Sequence, residues 1–130
     1  MKKIAITGGS GRFGTVLKKN IFFKNCYFPT KNQLNILNTK SIRRYLVSKK
    51  PKILIHLAAL SRPMNIHDRN ISQSIDLNII GTANIVKICS DLKIKLIYFS
   101  TNYVYPSTKG NYNEESSLLP INNYAWSKLG

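Results

Sequence analysis

The chain has 130 residues, 43% of them hydrophobic, with 20 Lys and Arg against 5 Asp and Glu and a formal charge of +15. This length is enough for about one domain, and the apolar content excludes wholesale disorder. No apolar run approaches the roughly 20 residues that span a bilayer, and MKKIAITGG has neither the apolar core nor the cleavage site of a signal peptide, so a cytoplasmic protein without a membrane partner is expected.

The basic balance raises nucleic acid as a partner, but the lysines are scattered singly or in pairs, as in Lys18-Lys19 and Lys49-Lys50. No basic stripe or nucleic-acid-binding motif accompanies them. The abundance of Ile and Asn beside them points to a compositional bias of the source, so no nucleic-acid partner is expected. Cys26 and Cys89 are isolated and in apolar settings, which predicts buried, reduced thiols and no metal site.

Apolar periodicity orders the chain into alternating strands and helices. KKIAIT (2–7) is β-branched and runs into glycines, as a buried strand would. Residues 11–21 form a helical pattern with Phe13, Val16, Leu17 and Ile21 on one side. CYFPT (26–30) is a weaker strand, and 38–50 a helix capped by Asn38 or Thr39, with Ile42, Tyr45 and Leu46 inward and Pro51 as its stop. ILIHLAA (53–59) suits a strand covered on both faces. A long helix over about 70–92 places Ile75, Ile79, Ala83 and Val86 inward, and KLIYFST (95–101) is the next buried strand. An irregular polar stretch follows, then a helix from about Asn122.

This alternation predicts an α/β Rossmann-type fold, a doubly wound parallel sheet. Residues 1–130 are expected to form one such domain. Ligands of such sheets lie beyond the carboxyl ends of the strands, where Gly8–Gly14, Leu57–Leu60 and Ser100–Tyr105 all fall.

TGGSGRFG puts Gly8, Gly11 and Gly14 between the first strand and the first helix. Glycines there allow a tight turn, close approach of a pyrophosphate and close helix–strand packing, and the helix N-terminus offers free N–H groups to phosphate. The spacing is GxxGxxG, which is neither GxGxxG nor a Walker loop. No Asp or Glu precedes Asp68, so the carboxylate that usually holds an adenosine ribose diol is missing. Arg12 in the loop and Lys31 after the second strand would instead welcome a 2′-phosphate. NADP(H) is therefore favoured, with NAD(H) possible; the alternative for Lys31 is a solvated loop lysine.

Tyr124 and Lys128 in PINNYAWSKLG are four apart and share a helix face. An ammonium beside a phenol is expected to lower its pKa and make it a proton donor and acceptor near neutrality. Thr101, at the end of the preceding strand, can hydrogen-bond the same substrate oxygen.

With these residues the chain resembles the extended short-chain dehydrogenase/reductases, most closely the dTDP-4-dehydrorhamnose reductase branch. The matching pieces are TGGSGRFG, LIHLAA, LNIIGTANIV, STNYVY and PINNYAWSKLG. The resemblance implies Thr101, Tyr124 and Lys128 as the catalytic triad and Gly8, Gly11, Arg12, Phe13 and Gly14 at the pyrophosphate and nearby groups. Asn35 and Ile36 would lie at the adenine, Leu57, Ala58 and Ala59 along the middle of the cofactor, and Asn78 would brace the strand ends. A nucleoside-diphosphate sugar is the implied substrate, and a homodimer of the full-length form stays open. Family members run to about twice this length, so the resemblance implies that residues 1–130 are an NAD(P)-binding domain, incomplete, without its C-terminal substrate-binding lobe.

Of the remaining candidates, His56 is expected to be a hydrogen-bonded core histidine. His67 and Asp68 lack a third partner for a metal. Arg62 is a candidate for a phosphate, Glu114-Glu115 for loop solvation and Trp126 for packing against a neighbouring helix. Three other readings stand beside the reductase. An NAD-dependent epimerase or dehydratase would use the same triad, although Asn102 and Tyr103 do not supply a dehydratase's extra acid and base. A non-catalytic cofactor-binding fragment would ignore Tyr124→Phe, and a nucleic-acid binder would lose affinity steeply with salt.

Overall fold

The computed structural model describes residues 3–130, so Lys2 of the expected first strand lies outside the described residues. In chain order the elements are β1 (Ile4–Thr7), α1 (Arg12–Lys19), a 3-10 turn (Ile21–Phe23), α2 (Thr39–Lys49), β2 (Ile53–His56) and α3 (Ile66–Arg69). There follow α4 (Ile71–Ser74), a π-helical turn (Ile75–Ile80), α5 (Gly81–Asp91), β3 (Lys95–Tyr98), a second 3-10 turn (Asn102–Val104) and α6 (Asn123–Leu129). They form two compact units, Met1–Ala59 with Ile80–Phe99, and Leu60–Ile79 with Ser100–Gly130.

The first unit carries a parallel sheet in the order β1-β2-β3. Ala5 pairs with Leu54 of β2 and also bridges Tyr27, so Tyr27 lies on the other side of β1. The chain therefore steps one way from β1 to Tyr27, then reverses to β2 and β3. Right-handed crossovers turn that reversal into helices on both faces, α1 on one and α2 with α5 on the other. This is the doubly wound α/β fold. Thr7, His56 and Tyr98 stand opposite one another in the register, so all three strands end level.

The expected strand over 26–30 shrinks to the one bridge at Tyr27. Pro29 has no N–H to donate, and the Thr30 carbonyl is already taken by the N–H groups of Gln33 and Leu34 in a turn. The expected strand over 95–101 ends at Tyr98 and forms the sheet edge, with Ile97 and Phe99 exposed rather than buried. β2 likewise stops at His56, and only Leu54 and His56 of its residues are fully covered.

Ile6, Ile42, Leu46, Leu54 and Ile85 make the aliphatic core of this unit, each at most 1% exposed. Asn38 caps α2, its side chain accepting from the Ser41 N–H at 3.0 Å, and Lys50 leaves it in a left-handed conformation just before Pro51. α2 packs on α5. α1 departs from expectation: Phe13, Val16 and Ile21 are exposed, and only Gly14 is buried. The helix meets the strand end through its glycine, so the apolar stripe faces away from that contact.

In the helical run after Asn70 the buried positions are Ser74, Asn78, Gly81, Ile85, Ile88 and Cys89, whereas Ile75, Ala83 and Val86 are exposed and Ile79 half-buried. The inward stripe starts with polar side chains, which an apolar-periodicity rule assigns to solvent.

The second unit is built differently. Its buried apolar residues are Val104, Pro120 and Ala125; the others buried are His67, Ser74, Asn78, Ser127 and Lys128. α6 packs on α3, α4 and the 3-10 turn at Asn102–Val104. Asn122 caps α6, accepting from the Ala125 N–H at 2.8 Å. Trp126 is exposed, not packed inward, and lines an apolar groove of about 380 Å³ with Ile71, Ile75, Ile79 and Leu129.

Truncating the core at Leu54→Ala is expected to cost about 2–5 kcal/mol in urea unfolding. Phe22→Ser, at a residue 87% exposed, should shift it by no more than about 0.5 kcal/mol.

Candidate active site

The glycine loop leaves the end of β1. Gly8 has φ +73°, and a Cβ there would stand 2.7 Å from the Ala58 nitrogen and 2.8 Å from the Leu57 carbonyl carbon. Only glycine allows the loop to pass so close to the segment after β2. A Cβ on Gly14 would lie 2.4 Å from the Gly8 oxygen, which forces glycine where α1 crosses the loop. At Gly11, the N-cap of α1, a Cβ would meet only the Gly8 oxygen at 3.2 Å, so the protein's own packing asks for glycine least there. The first turn of α1 contains no acidic residue. Its unpaired N–H groups and dipole suit an anion, so the loop fits a pyrophosphate.

A buried relay fixes this edge. The Ala58 N–H donates to Thr7 Oγ1 at 3.2 Å, and the same oxygen is hydrogen-bonded to His56 Nδ1 at 2.7 Å. His56 Nε2 is in turn hydrogen-bonded to Thr82 Oγ1 at 3.1 Å. His56 is a hydrogen-bonded core histidine, as expected, and it holds Leu57, Ala58 and Ala59 at half-buried positions beside the loop. Ile36 is buried, and its carbonyl accepts from Asn84 Nδ2 at 3.0 Å; the Asn35 N–H donates to Ser41 Oγ at 3.1 Å. Arg12, Phe13 and Lys31 are exposed, Lys31 in the turn that follows Thr30.

The second constellation lies in the other unit. Thr101 hydrogen-bonds Tyr124 through its side chain. The Tyr124 ring meets the His67 ring at 5.0 Å and takes Tyr103 edge-on at 6.3 Å. Its carbonyl accepts from Ser127 Oγ at 2.7 Å, and Ser127 in turn accepts from Asn78 Nδ2 at 2.8 Å. The same Asn78 amide pairs with the backbone of Leu60, accepting from its N–H at 2.7 Å and donating to its carbonyl at 2.8 Å. Asn78 thus braces Leu60 against α6.

Burial raises the Tyr124 phenol above its ordinary value; the Thr101 hydrogen bond opposes this, Tyr103 adds to it and Arg62 opposes it. The expected lowering by a neighbouring lysine is therefore reversed: burial dominates, and the cation acting on the phenol is Arg62. Lys128 is itself only 6% exposed, and burial pulls its ammonium down to about 8. The structure brings Thr101 to Tyr124 and Asn78 to Leu60 and Ser127, and it adds Ser127, Tyr103 and His67 as neighbours of Tyr124 that the sequence did not single out for that place. Ser127 sits between Tyr124 and Lys128 in YAWSK, which was the available signal. Among the described residues no group of three or more His, Cys, Asp or Glu could hold a metal.

A glycine loop at the end of the first strand of a doubly wound sheet, with a Thr–Tyr pair and a buried lysine, defines a Rossmann-type α/β protein. The chain belongs to the RmlD substrate binding domain family, whose model matches residues 1–130. It superimposes on the dTDP-4-dehydrorhamnose reductase of Bacillus anthracis, solved in complex with NADP, with a TM-score of 0.90 and 28% identity over 99% of this chain and 47% of that one. Among curated relatives, the GDP-6-deoxy-D-talose 4-dehydrogenase of Aggregatibacter actinomycetemcomitans is 31% identical over 97% of this chain and 45% of its own. The methionine adenosyltransferase 2 subunit beta of Bos taurus is 28% identical over 98% of this chain and 41% of its own. The chain thus spans less than half the length of these relatives.

Lys128 also sets a pH dependence of stability. Folding lowers its pKa from 10.5 to about 8, so between these values the unfolded chain holds the extra proton and stability rises with pH. Urea titrations from pH 7.5 to 10 should show that rise in the native sequence and its loss in Lys128→Met; parallel profiles would refute it.

Proposed function

We propose that residues 1–130 are the cofactor-binding part of an NADP(H)-dependent reductase of a 4-keto nucleoside-diphosphate deoxysugar, with the substrate lobe lying outside this stretch. The observation that carries this reading is that Tyr124 and a buried Lys128 share α6, the helix that packs on the 3-10 turn capped by Thr101. Thr101 polarises the ketone, Tyr124 donates the proton to its oxygen, and Lys128 grips the ribose. The glycine loop binds pyrophosphate, and Arg12 with Lys31 takes the 2′-phosphate. The nicotinamide supplies the hydride; the chain's own groups orient and polarise.

Support comes from the reductase and dehydrogenase named above, both acting by name on deoxysugar nucleotides, and from the NADP in the reductase complex. Net oxidation of NADPH separates a reductase from an epimerase or dehydratase, which recycles its cofactor.

A second reading is favoured by the curated match to a transferase subunit: a cofactor-binding subunit that attaches to another enzyme. It predicts NADP(H) binding without NADPH consumption.

Assayed in the full-length protein containing this stretch, NADPH absorbance should fall on adding a dTDP-4-keto-6-deoxyhexose. Tyr124→Phe should lower kcat by about 10²–10⁴-fold while leaving cofactor affinity in place. Cofactor bound with no turnover would favour the subunit reading. For cofactor choice, Lys31→Glu combined with Arg12→Ser should weaken NADPH more than NADH by about tenfold or more in fluorescence titrations; an equal loss for both would remove the 2′-phosphate role.

A further inference from the structure

The His67-Asp68 pair on α3 has no part in the reaction as proposed, yet it lies against its proton donor. His67 is 1% exposed, with Nδ1 2.7 Å from Ser74 Oγ. Its Nε2 is buried with no hydrogen-bond partner among the described residues. The ring stands 5.0 Å from that of Tyr124, the planes inclined by 51°. One residue on, Asp68 Oδ1 accepts from Asn123 Nδ2 at 2.8 Å. Neighbouring residues of α3 thus hold neighbouring residues at the start of α6.

Both tautomers leave Nε2 unmet. If Nδ1–H donates to Ser74, Nε2 is a bare acceptor; if the Ser74 hydroxyl donates to Nδ1, Nε2 is a bare N–H. Each arrangement carries the desolvation cost of an unsatisfied buried polar atom. A phenylalanine would offer Tyr124 a similar flat face without that cost. Packing alone therefore does not account for an imidazole here, and unmet buried groups concentrate where function requires them.

We propose that His67 is a positioning residue for Tyr124: Ser74 holds the imidazole, and the imidazole holds the phenol ring while giving it polar surroundings in which to ionise. This rests on the reading of Tyr124 as the proton donor. Burial lowers the pKa of His67, with Asp68 opposing, so the ring is uncharged near neutrality and acts through its dipole. The other groups acting on the phenol are Thr101, Tyr103 and Arg62.

The test is His67→Phe, with Ser74→Ala as the variant that keeps the imidazole but releases it. His67→Phe should raise the urea midpoint yet lower kcat by about tenfold or more with KM within about twofold, the mark of lost geometry at the reacting group. Ser74→Ala should lower kcat in the same direction. A titration of Tyr124 followed by its ¹³Cζ resonance needs no substrate and can be run on this 130-residue chain; its midpoint should rise in His67→Phe by about half a unit or more, as a phenolate loses polar neighbours. Unchanged kcat with an unchanged titration would overturn the proposal, as would joint loss of stability and activity in His67→Phe, which marks a packing role. If the native protein consumes no NADPH at all, the reductase reading fails by itself, and the Tyr124 titration still decides the part played by His67.

Discussion

A single buried amide, that of Asn78, holds the second unit together. Three of its hydrogen bonds are made at once, two to the backbone of Leu60 and one to Ser127, and Ser127 passes the constraint to the carbonyl of Tyr124. With only Val104, Pro120 and Ala125 as buried apolar residues, this unit has little aliphatic core to define its packing. Directional hydrogen bonds take over that task. They restrict geometry more tightly than apolar contact does, and a proton-donating side chain needs that restriction.

The two units therefore represent two ways of making structure. In the first, Ile6, Ile42, Leu46, Leu54 and Ile85 are sealed from water and provide a rigid platform from which the glycine loop departs. In the second, buried polar groups are satisfied one by one, and the exceptions stand out. Lys128 carries its burial as a lowered pKa; His67 carries it as an unmet nitrogen. Both lie on elements that pack around Tyr124, and in the proposed reduction both costs are borne for the benefit of one phenol.

Family membership constrains the reading without completing it. The same stretch of chain aligns with deoxysugar-nucleotide enzymes and with a transferase subunit. A shared fold accommodates such different uses because function resides in the site and not in the fold; in the proposed function binding falls to the glycines and chemistry to a phenol with its supports.

Much of this was legible in the residues themselves. The β–α alternation, the glycines at the end of β1, the cap of α2 and the start of the last helix near Asn122 all follow from local rules, since turn, cap and helix-face chemistry depend on residues a few positions apart. Tertiary structure alone decided what distant residues do to each other. It turned the Phe13, Val16 and Ile21 stripe outward because Gly14 makes the close contact, reduced the second strand to Tyr27, and put Ser74 and Asn78 on the inward face of their helix. It also raised the Tyr124 pKa rather than lowering it. Burial and hydrogen-bond partners are set by packing between segments far apart in the chain, and a periodic pattern of apolar side chains cannot report where a polar one will find its partner.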